Sequence, residues 1–338
     1  ITGGYNAEYG RATGGIVNVV TKSGSNEIKG SVFGYFQPGV LTAATERTPV
    51  NATSIDVKGD VGYRTDFGVE IGGPIIKDKL WFYVGIAPQF SKVDITRTTK
   101  RQSDCRKLEA SGNLSSCNPA LQAMGGNADG VPDVDPKTGF YITDTLDEEV
   151  RSRTGRAFNV LGKINFAATP ENQGQVSVQV LPGHAESPGI YGPATSGFKA
   201  SQLTTDVSMK WTSKFNDNKT EVEAVVGWHR DHITDDPYDA TQADKPLQVL
   251  YDGSLGVWGP GFGAETAKTN EGCFDGPPNS KDPYPLLTNN CPMDTAAYVI
   301  GGPGSITNDT EQRRAGKVSV TQRLKAGGSH EIKAGFDV

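Results

Sequence analysis

An acidic loop near residue 130 carries the residues best suited to hold a metal ion. The segment GNADGVPDVDP places Asn127, Asp129, Asp133 and Asp135 around Gly130. Oxygen ligands at alternate positions, with a glycine that permits a tight bend, are what Ca²⁺ coordination requires. The loop lacks an upstream acidic partner and the Glu that ends an EF-hand loop, so a solvated turn whose Asx side chains cap their own backbone is the alternative. A structural calcium ion is therefore a candidate ligand, and no cofactor is required.

The four histidines do not form a catalytic or metal-binding pattern. His229 and His232 are three residues apart in WHRDHITDD, so on a strand they point to opposite faces and cannot share an ion unless the strand has already ended there. His184 and His330 stand alone. The sequence offers no Ser/His/Asp or Cys/His constellation, and we expect that the protein is not an enzyme.

The four cysteines fall into two local pairs, Cys105 with Cys117 and Cys273 with Cys291. Each pair lies in a stretch rich in Gly, Pro, Asn and Asp, with no histidine nearby. This pattern favours two loop disulfides and an oxidising compartment over a zinc site.

The composition argues against a large water-excluding core and against nucleic acid as a partner. Of 338 residues only 36% are apolar, and 42 are glycine. The 33 basic and 39 acidic residues give a net charge of -6, without a basic cluster. No run approaches the roughly 20 apolar residues of a membrane helix, but alternating strands of a membrane barrel would escape that test.

Nine segments alternate apolar with polar or small residues, as β-strands with two different faces do. In GQVSVQVL every second residue from Val176 is valine, and the chain ends on the alternating segment HEIKAGFDV. An earlier run, IVNVV, does not alternate and is typical of a strand buried on both faces. The nine predicted strands are residues 28–36, 61–71, 80–97, 157–166, 174–181, 206–212, 221–229, 316–324 and 330–338.

Short and long connections alternate between these strands. The short ones, PIIKDK, ATPENQ, KFNDNK and KAGGSH, are tight polar turns. The long ones are residues 38–60, 98–152, 183–200 and 235–310, of which 98–152 and 235–310 hold the cysteine pairs. Outer-membrane barrels have short periplasmic turns and long extracellular loops, whereas a soluble sandwich has no reason to place every long loop at one end.

Aromatic and charged residues are placed as a barrel requires. We expect two aromatic girdles at the membrane interfaces and a lumen lined by charges that hydrate it, contact a plug or line a transport path. The girdle candidates are Trp81, Phe82, Tyr83, Phe166, Trp211 and Phe215 near the turns, and Phe33, Tyr35 and Phe36 at the far end. The lumen candidates are Arg64, Asp66, Glu70, Lys163, Lys210, Glu223, Lys317 and Arg323.

Two motifs resemble TonB-dependent outer-membrane transporters. NAEYGRATGGIVNVVTKSG resembles the end of their plug domain, which leads into the first barrel strand. TDFGVEIGGPIIKDKLWFYVGIAPQF is similar to the Oar-like subgroup, where a Gly-Gly-Pro and a Lys-Asp-Lys turn precede an aromatic strand. The residues that carry the first motif are Tyr9, Gly10, Gly14, Gly15, Ile16, Asn18, Thr21 and Lys22.

The resemblance implies an all-β protein, a partial transmembrane antiparallel β-barrel in which nine of about 22 strands follow the last strand of an N-terminal plug. Residues 1–24 would end the plug and residues 25–338 would begin the barrel. Because a bacterial barrel has an even number of strands and no free edge in the bilayer, strand nine should pair with sequence beyond Val338. We therefore expect a piece of a longer polypeptide.

The implied function is uptake. Extracellular loops would bind an unknown substrate, and the inner-membrane TonB complex would rearrange the plug through a coupling segment outside this chain. Outer-membrane lipids would be the other partner. The alternatives are a non-transporting adhesin or scaffold that uses disulfide-pinned loops, and a soluble secreted β-sandwich.

Overall fold

The computed structural model describes residues 21–46, 54–106, 109–113, 115–117, 122, 130–251, 253–257, 272–274, 284–293 and 297–338. Nine antiparallel strands form one sheet whose order follows the chain, and two short strands pair separately within the last long connection. In these ranges no helix has the length and apolarity to cross a membrane. The strands are β1 (Lys29–Pro38), β2 (Ile55–Ile76), β3 (Leu80–Gln102), β4 (Thr143–Thr169), β5 (Asn172–Ser187), β6 (Phe198–Phe215), β7 (Thr220–Pro237), β8 (Gln248–Leu250), β9 (Tyr298–Ile300), β10 (Thr307–Lys325) and β11 (Ser329–Asp337).

The nine predicted strands and four tight turns are confirmed. The turns join β2 to β3, β4 to β5, β6 to β7, and β10 to β11. Asp78 has a φ of 63°, and Asn216, Asp217 and Asn218 also have positive φ. Asp and Asn tolerate this left-handed conformation better than other non-glycine residues. The polar residue types of these connections therefore predicted the turns correctly.

The strands are longer than predicted at their loop ends. The structure gives 22 residues for β2, 23 for β3 and 27 for β4. A tilted strand needs about 9–11 residues to cross a membrane. Each of these strands is therefore long enough to cross a membrane and continue well beyond it. We call the part next to the short turn the turn half, and the part that continues beyond the membrane towards the long connection the loop half.

The two faces of the sheet differ in chemistry. The apolar face exposes large side chains such as Val32 at 80% and Phe36 at 69%, and no second sheet covers it within the described residues. A soluble sandwich would bury this face, so that alternative is wrong. Large exposed side chains of the apolar face include Ile28, Phe67, Val69, Ile71, Val84, Ile86, Ile164, Val178, Met209, Val226, Val318, Val320, Ile332 and Phe336.

The aromatic girdle prediction is only partly right. Phe82, Phe166 and Trp211 share the apolar face, where the register aligns them with apolar partners. Trp81 and Tyr83 lie on the polar face instead, because consecutive residues of a strand point to opposite sides.

The same correction applies to β1. Phe36 lies on the apolar face, whereas Phe33 and Tyr35, at odd positions of the strand, lie on the polar face. There Phe33 packs over Gly68. A side chain at Gly68 would collide with the Phe33 ring, so this glycine makes room for the aromatic residue.

The hydrophobic core lies in the loop half of the molecule rather than along the whole sheet. Ile55, at the start of β2, is 2% exposed and packs with residues of the last long connection. The other buried members of this cluster are Leu255, Cys273, Cys291, Met293, Tyr298 and Ile300. The described parts of the loops thus form a folded unit that shares its core with the strand ends.

This sheet does not close into a barrel. β1 and β11 form its two edges, and β11 pairs on one side with β10. The architecture is a partial antiparallel barrel.

Candidate functional site

A short segment before β1 is held on the polar face by charged side chains. Lys22 pairs with Glu70 of β2, and the same carboxylate accepts hydrogen bonds from Ser31 at 2.8 Å and from the Tyr83 hydroxyl. One carboxylate thus joins the segment to three strands, β1, β2 and β3.

Lys163 of β4 provides a second contact. Its Nζ donates to the backbone oxygen of Thr21 at 3.3 Å and to Thr21 Oγ1 at 3.2 Å. Lys163 is only 6% exposed, so its hydrogen bonds to the segment compensate part of the cost of burying its charge. A Cβ on Gly24 would collide with the carbonyl oxygen of Phe82, which shows how closely the segment approaches the sheet backbone. We call residues 21–24 with Glu70, Tyr83 and Lys163 the anchor.

The first tight turn is fastened to the start of β1. Asn26 Nδ2 donates to Asp78 Oδ1 at 2.6 Å, and Asn26 Oδ1 accepts from the Asp78 amide at 2.9 Å and from Trp81 Nε1 at 2.8 Å. The indole nitrogen of Trp81 is therefore satisfied by a protein group on the polar side of the turn.

A hollow of about 710 Å³ lies further along the polar face. Its floor consists of small residues on three neighbouring strands, and the register pairs Gly155 with Ala185 and Ala157 with Gly183. Ala185 in turn faces Ala200 of β6. Small side chains leave this space open, and polar or aromatic residues surround it, among them Tyr35, Gln37, Arg64, Asp66, Gln89, Ser91 and Gln202.

Two buried arginines hold the connection between β5 and β6 over the polar face. Arg97 donates through Nε to the Ile190 carbonyl at 2.8 Å, and Arg151 donates to the carbonyls of Gly189 and Gly192. Glu149 pairs with both guanidinium groups. We call residues 188–197 with these three side chains the lid.

The lid also contacts the last long connection. The Val299 amide donates to the Tyr191 carbonyl at 2.6 Å, and a Cβ on Gly192 would collide with the Val299 carbonyl oxygen. Because β8 and β9 belong to the same connection, the lid and the loop core are fastened together.

A third set of contacts fixes the loop that contains Tyr284. Arg101 Nη2 pairs with Asp144 Oδ2 at 3.0 Å, and Tyr284 donates to the same oxygen at 2.9 Å. The Arg101 guanidinium lies 5.4 Å from the centre of the Tyr284 ring, within the range of a cation–π contact. Burial and the nearby Asp144 charge raise the pKa of the Tyr284 hydroxyl, so it remains a donor at neutral pH.

Both predicted cysteine pairs are at disulfide distance. The Cα atoms are 4.9 Å apart in Cys105–Cys117 and 5.3 Å apart in Cys273–Cys291. The second pair is fully buried in the loop core, so it ties the longest connection to Ile55.

The calcium hypothesis stays a prediction. Asn127 and Asp129 lie outside the described residues, and the described ones contain no group of three His, Cys, Asp or Glu that could hold a metal. Asp135 Oδ1 accepts from the Lys137 amide at 2.9 Å, as expected for an Asx turn, and the Asp133 backbone pairs with residues 103 and 142. Gly130 has a φ of +83°, which agrees with the tight bend that its position predicted.

The histidines lie as predicted. His229 contacts Asp206 at 2.8 Å on the polar face, whereas His232 contacts Thr310 at 2.9 Å on the apolar face. They cannot share an ion. His184 contacts Ser201.

The lid was not predicted from the sequence. Its signal was present in the alternation of charges at Glu149, Arg151 and Arg153, in the part of β4 that extends beyond the predicted strand. Charges at every second position on one face of a strand that long indicate a polar interior beyond the membrane.

Comparison with known proteins agrees with this architecture. A family model of outer-membrane β-barrel domains matches residues 20–338. The TonB-dependent transporter Oar of Myxococcus xanthus is 30% identical over 350 aligned residues, which cover 100% of this chain and 31% of Oar. The chain therefore belongs to the outer-membrane β-barrel family, and it spans about a third of the length of this relative.

Proposed function

We propose that this chain contains the end of the plug and the first nine barrel strands of a TonB-dependent transporter. The observation that carries the proposal is the anchor, in which Glu70 and Lys163 hold Lys22 and Thr21 on the polar face. A barrel turns its polar face to the lumen, so residues 21–24 lie where a plug would leave the lumen. Residues 1–24 would end the plug and residues 25–338 would begin the barrel.

The short turns face the periplasm and the long connections face outwards. This orientation follows the general asymmetry of outer-membrane barrels, in which turns are short on the periplasmic side. The exposed apolar face meets the lipid of the outer membrane. The loops that include residues 98–152 and 235–310 would then meet the substrate first.

The hollow would be part of the transport path. Along β3 the anchor residue Tyr83 comes first, the hollow residue Gln89 next and the lid residue Arg97 last. Lys163 and Arg151 flank the hollow in the same order on β4. A substrate would pass the lid, enter the hollow and proceed when the TonB complex of the inner membrane rearranges the plug.

No step of this cycle requires bond making or breaking. The described polar groups bind and position, and neither the anchor nor the lid contains a nucleophile paired with a general base.

The test uses the full-length protein in cells and does not require a known substrate. Thr21→Cys introduces a thiol at the anchor, and Ser208→Cys introduces one on the polar face outside it. Each is labelled with a maleimide small enough to enter the periplasm, before and after an uncoupler removes the inner-membrane gradient. Energised cells should label position 21 several-fold faster than uncoupled cells, whereas position 208 should label equally in both. Equal labelling of position 21 in both states would contradict energy-driven movement of the plug.

The lid supports a second candidate, a non-transporting adhesin or scaffold. Buried charges and a buried disulfide give the loops a fixed shape, which suits attachment to a partner. Thr21→Cys with Lys163→Cys would lock the anchor by a disulfide. The lock should stop energy-dependent movement in a transporter and leave attachment by an adhesin unchanged.

A further inference from the structure

The first charged residue on the apolar face is basic on five strands. From each short turn the apolar face carries only uncharged side chains until the chain reaches the loop half. The first charge on each strand is then Lys92 on β3, Arg156 on β4, Lys199 on β6, Arg230 on β7 and Arg314 on β10. We call these five residues the basic band.

The strands next to the band complete the pattern. On β5 the first titratable residue of this face is His184, which lies opposite Arg156. On β2 the first charge is Asp60, which pairs with Lys58 at 3.1 Å. The band thus crosses the sheet from β3 to β10 along the upper edge of the apolar belt.

Three arginines of the band have unused donors. No side-chain hydrogen bond or ion pair joins Arg156, Arg230 or Arg314 to another residue that the structure describes, and Arg156 and Arg314 are exposed. The other two members have partners, since Lys92 pairs with Asp94 at 2.9 Å and Lys199 lies over the ring of Tyr238.

The polar face provides the contrast. There Arg323 pairs with Glu331 at 3.0 Å, and Lys210 pairs with Glu223. These two pairs, which lie towards the short turns, balance their charges within the protein, whereas the three band arginines present their side chains at the edge of the surface that meets lipid.

We propose that the basic band binds the phosphate groups of the glycolipid in the outer leaflet of the outer membrane. Acyl chains would cover the apolar face of the turn half. The phosphates would lie beside the band, at the upper edge of that face. Arginine presents a planar set of donors that can bind a phosphate with two hydrogen bonds. Trp228 faces Arg314 across β7 and β10 and is of the type that settles at a membrane interface.

The choice of glycolipid over inner-leaflet phospholipid rests on the proposed function, which places the short turns in the periplasm and the long connections outside. The band lies towards the long connections, which that orientation places in the outer leaflet. Binding itself needs no transport, so loss of energy-driven movement at the anchor and loss of lipid at the band are separate results.

The experiment measures retained lipid on the full-length protein. The protein is purified in a neutral detergent, mixed with lipid A that carries both phosphates, separated by size exclusion and analysed by native mass spectrometry. Dephosphorylated lipid A and phosphatidylglycerol serve as the other two probes. The test variant is Arg156→Gln with Arg314→Gln.

The matched control is Arg153→Gln with Arg313→Gln. It removes the same charge from the same two strands, but residues 153 and 313 lie on the polar face. A basic residue near an anionic membrane surface changes lipid affinity by about fivefold, so with two residues removed we expect the test variant to retain phosphorylated lipid A about 25-fold less well than the control.

The outcomes separate the lipids. Wild type and control should retain phosphorylated lipid A in preference to both other probes. Equal retention of the dephosphorylated form would overturn phosphate binding, and equal retention of phosphatidylglycerol would overturn the assignment to the glycolipid. Equal losses in test and control variants would show that position on the apolar face does not matter, and the proposal would fail.

Discussion

The turn half and the loop half of the same strands are stabilised by opposite means. In the turn half, apolar side chains such as Val178 and Phe336 are exposed and the polar face holds paired charges. In the loop half, Arg97 and Thr99 are almost completely buried on the same face, and a hydrophobic core forms around Ile55. The turn half therefore depends on lipid, whereas the loop half builds its own interior.

The largest expected effect comes from placing a charge in the lipid-facing belt. Val178→Arg puts a cation among the exposed apolar residues of β5 and should cost about 2–4 kcal/mol near the middle of the membrane. The full-length variant should be poorly assembled in the outer membrane, which the amount of heat-modifiable barrel on unboiled gels would measure.

Gln179→Arg is its matched control. Residue 179 is the next residue of the strand and faces the polar side, where its side chain contacts Asn159 at 3.1 Å. This variant should assemble nearly as well as wild type. If both variants assembled equally, the assignment of the two faces would be wrong.

A smaller effect is expected in the loop half. Glu149→Gln removes the carboxylate shared by Arg97 and Arg151, and both guanidinium groups are more than nine-tenths buried. Since Glu149 is 38% exposed, water would take over part of its role, and we expect a loss of about 1–2 kcal/mol. Hydrogen exchange in residues 188–197 should accelerate, while exchange in the turn half of β4 and β5 should remain unchanged.

Glu148→Gln provides the comparison within one strand. Glu148 points to the opposite face and contacts Thr98 only at 3.4 Å. Its loss should leave exchange in the lid unchanged. Faster exchange throughout the sheet in Glu149→Gln would mean that the two halves unfold together and are not separate cooperative units.

The sequence predicts the turn half well because its signals are local. Alternation within a strand and Asp, Asn or Gly in a turn are each contained in a few consecutive residues. The errors at Trp81, Tyr83 and Phe33 arose from judging aromatics by distance from a turn, when their odd or even position decides the face. The odd or even position of each of these residues in its segment would have placed all three on the polar face.

The loop half escapes prediction because its contacts join distant residues. Arg97 reaches Ile190, which is 93 residues away, and Asp144 binds Tyr284, which is 140 residues away. Nothing local in the sequence specifies which carbonyl an arginine will bind. The cysteine pairs are the exception, because spacings of 12 and 18 residues kept both partners within one loop.

The smallest expected effect concerns the pH dependence of the loop half. Burial, followed by the charge of Asp144, raises the pKa of Tyr284 above the value of about 10 that an unfolded tyrosine has. The folded state therefore holds this proton more tightly, so the stabilisation is complete below pH 10 and is lost as the pH rises through the folded pKa. Hydrogen exchange around residues 284–293 should accelerate at alkaline pH before exchange in the turn half of the sheet does.

Tyr284→Phe isolates this contribution. It keeps the ring that lies beside Arg101 but removes the hydrogen bond to Asp144, at a cost of about 1 kcal/mol at neutral pH. Exchange in residues 284–293 should then be faster at neutral pH and should lose its alkaline step. If the step persisted without the hydroxyl, a different group would govern it, because phenylalanine cannot titrate. The loop half would then depend on its core and disulfide rather than on the Arg101–Asp144–Tyr284 contact.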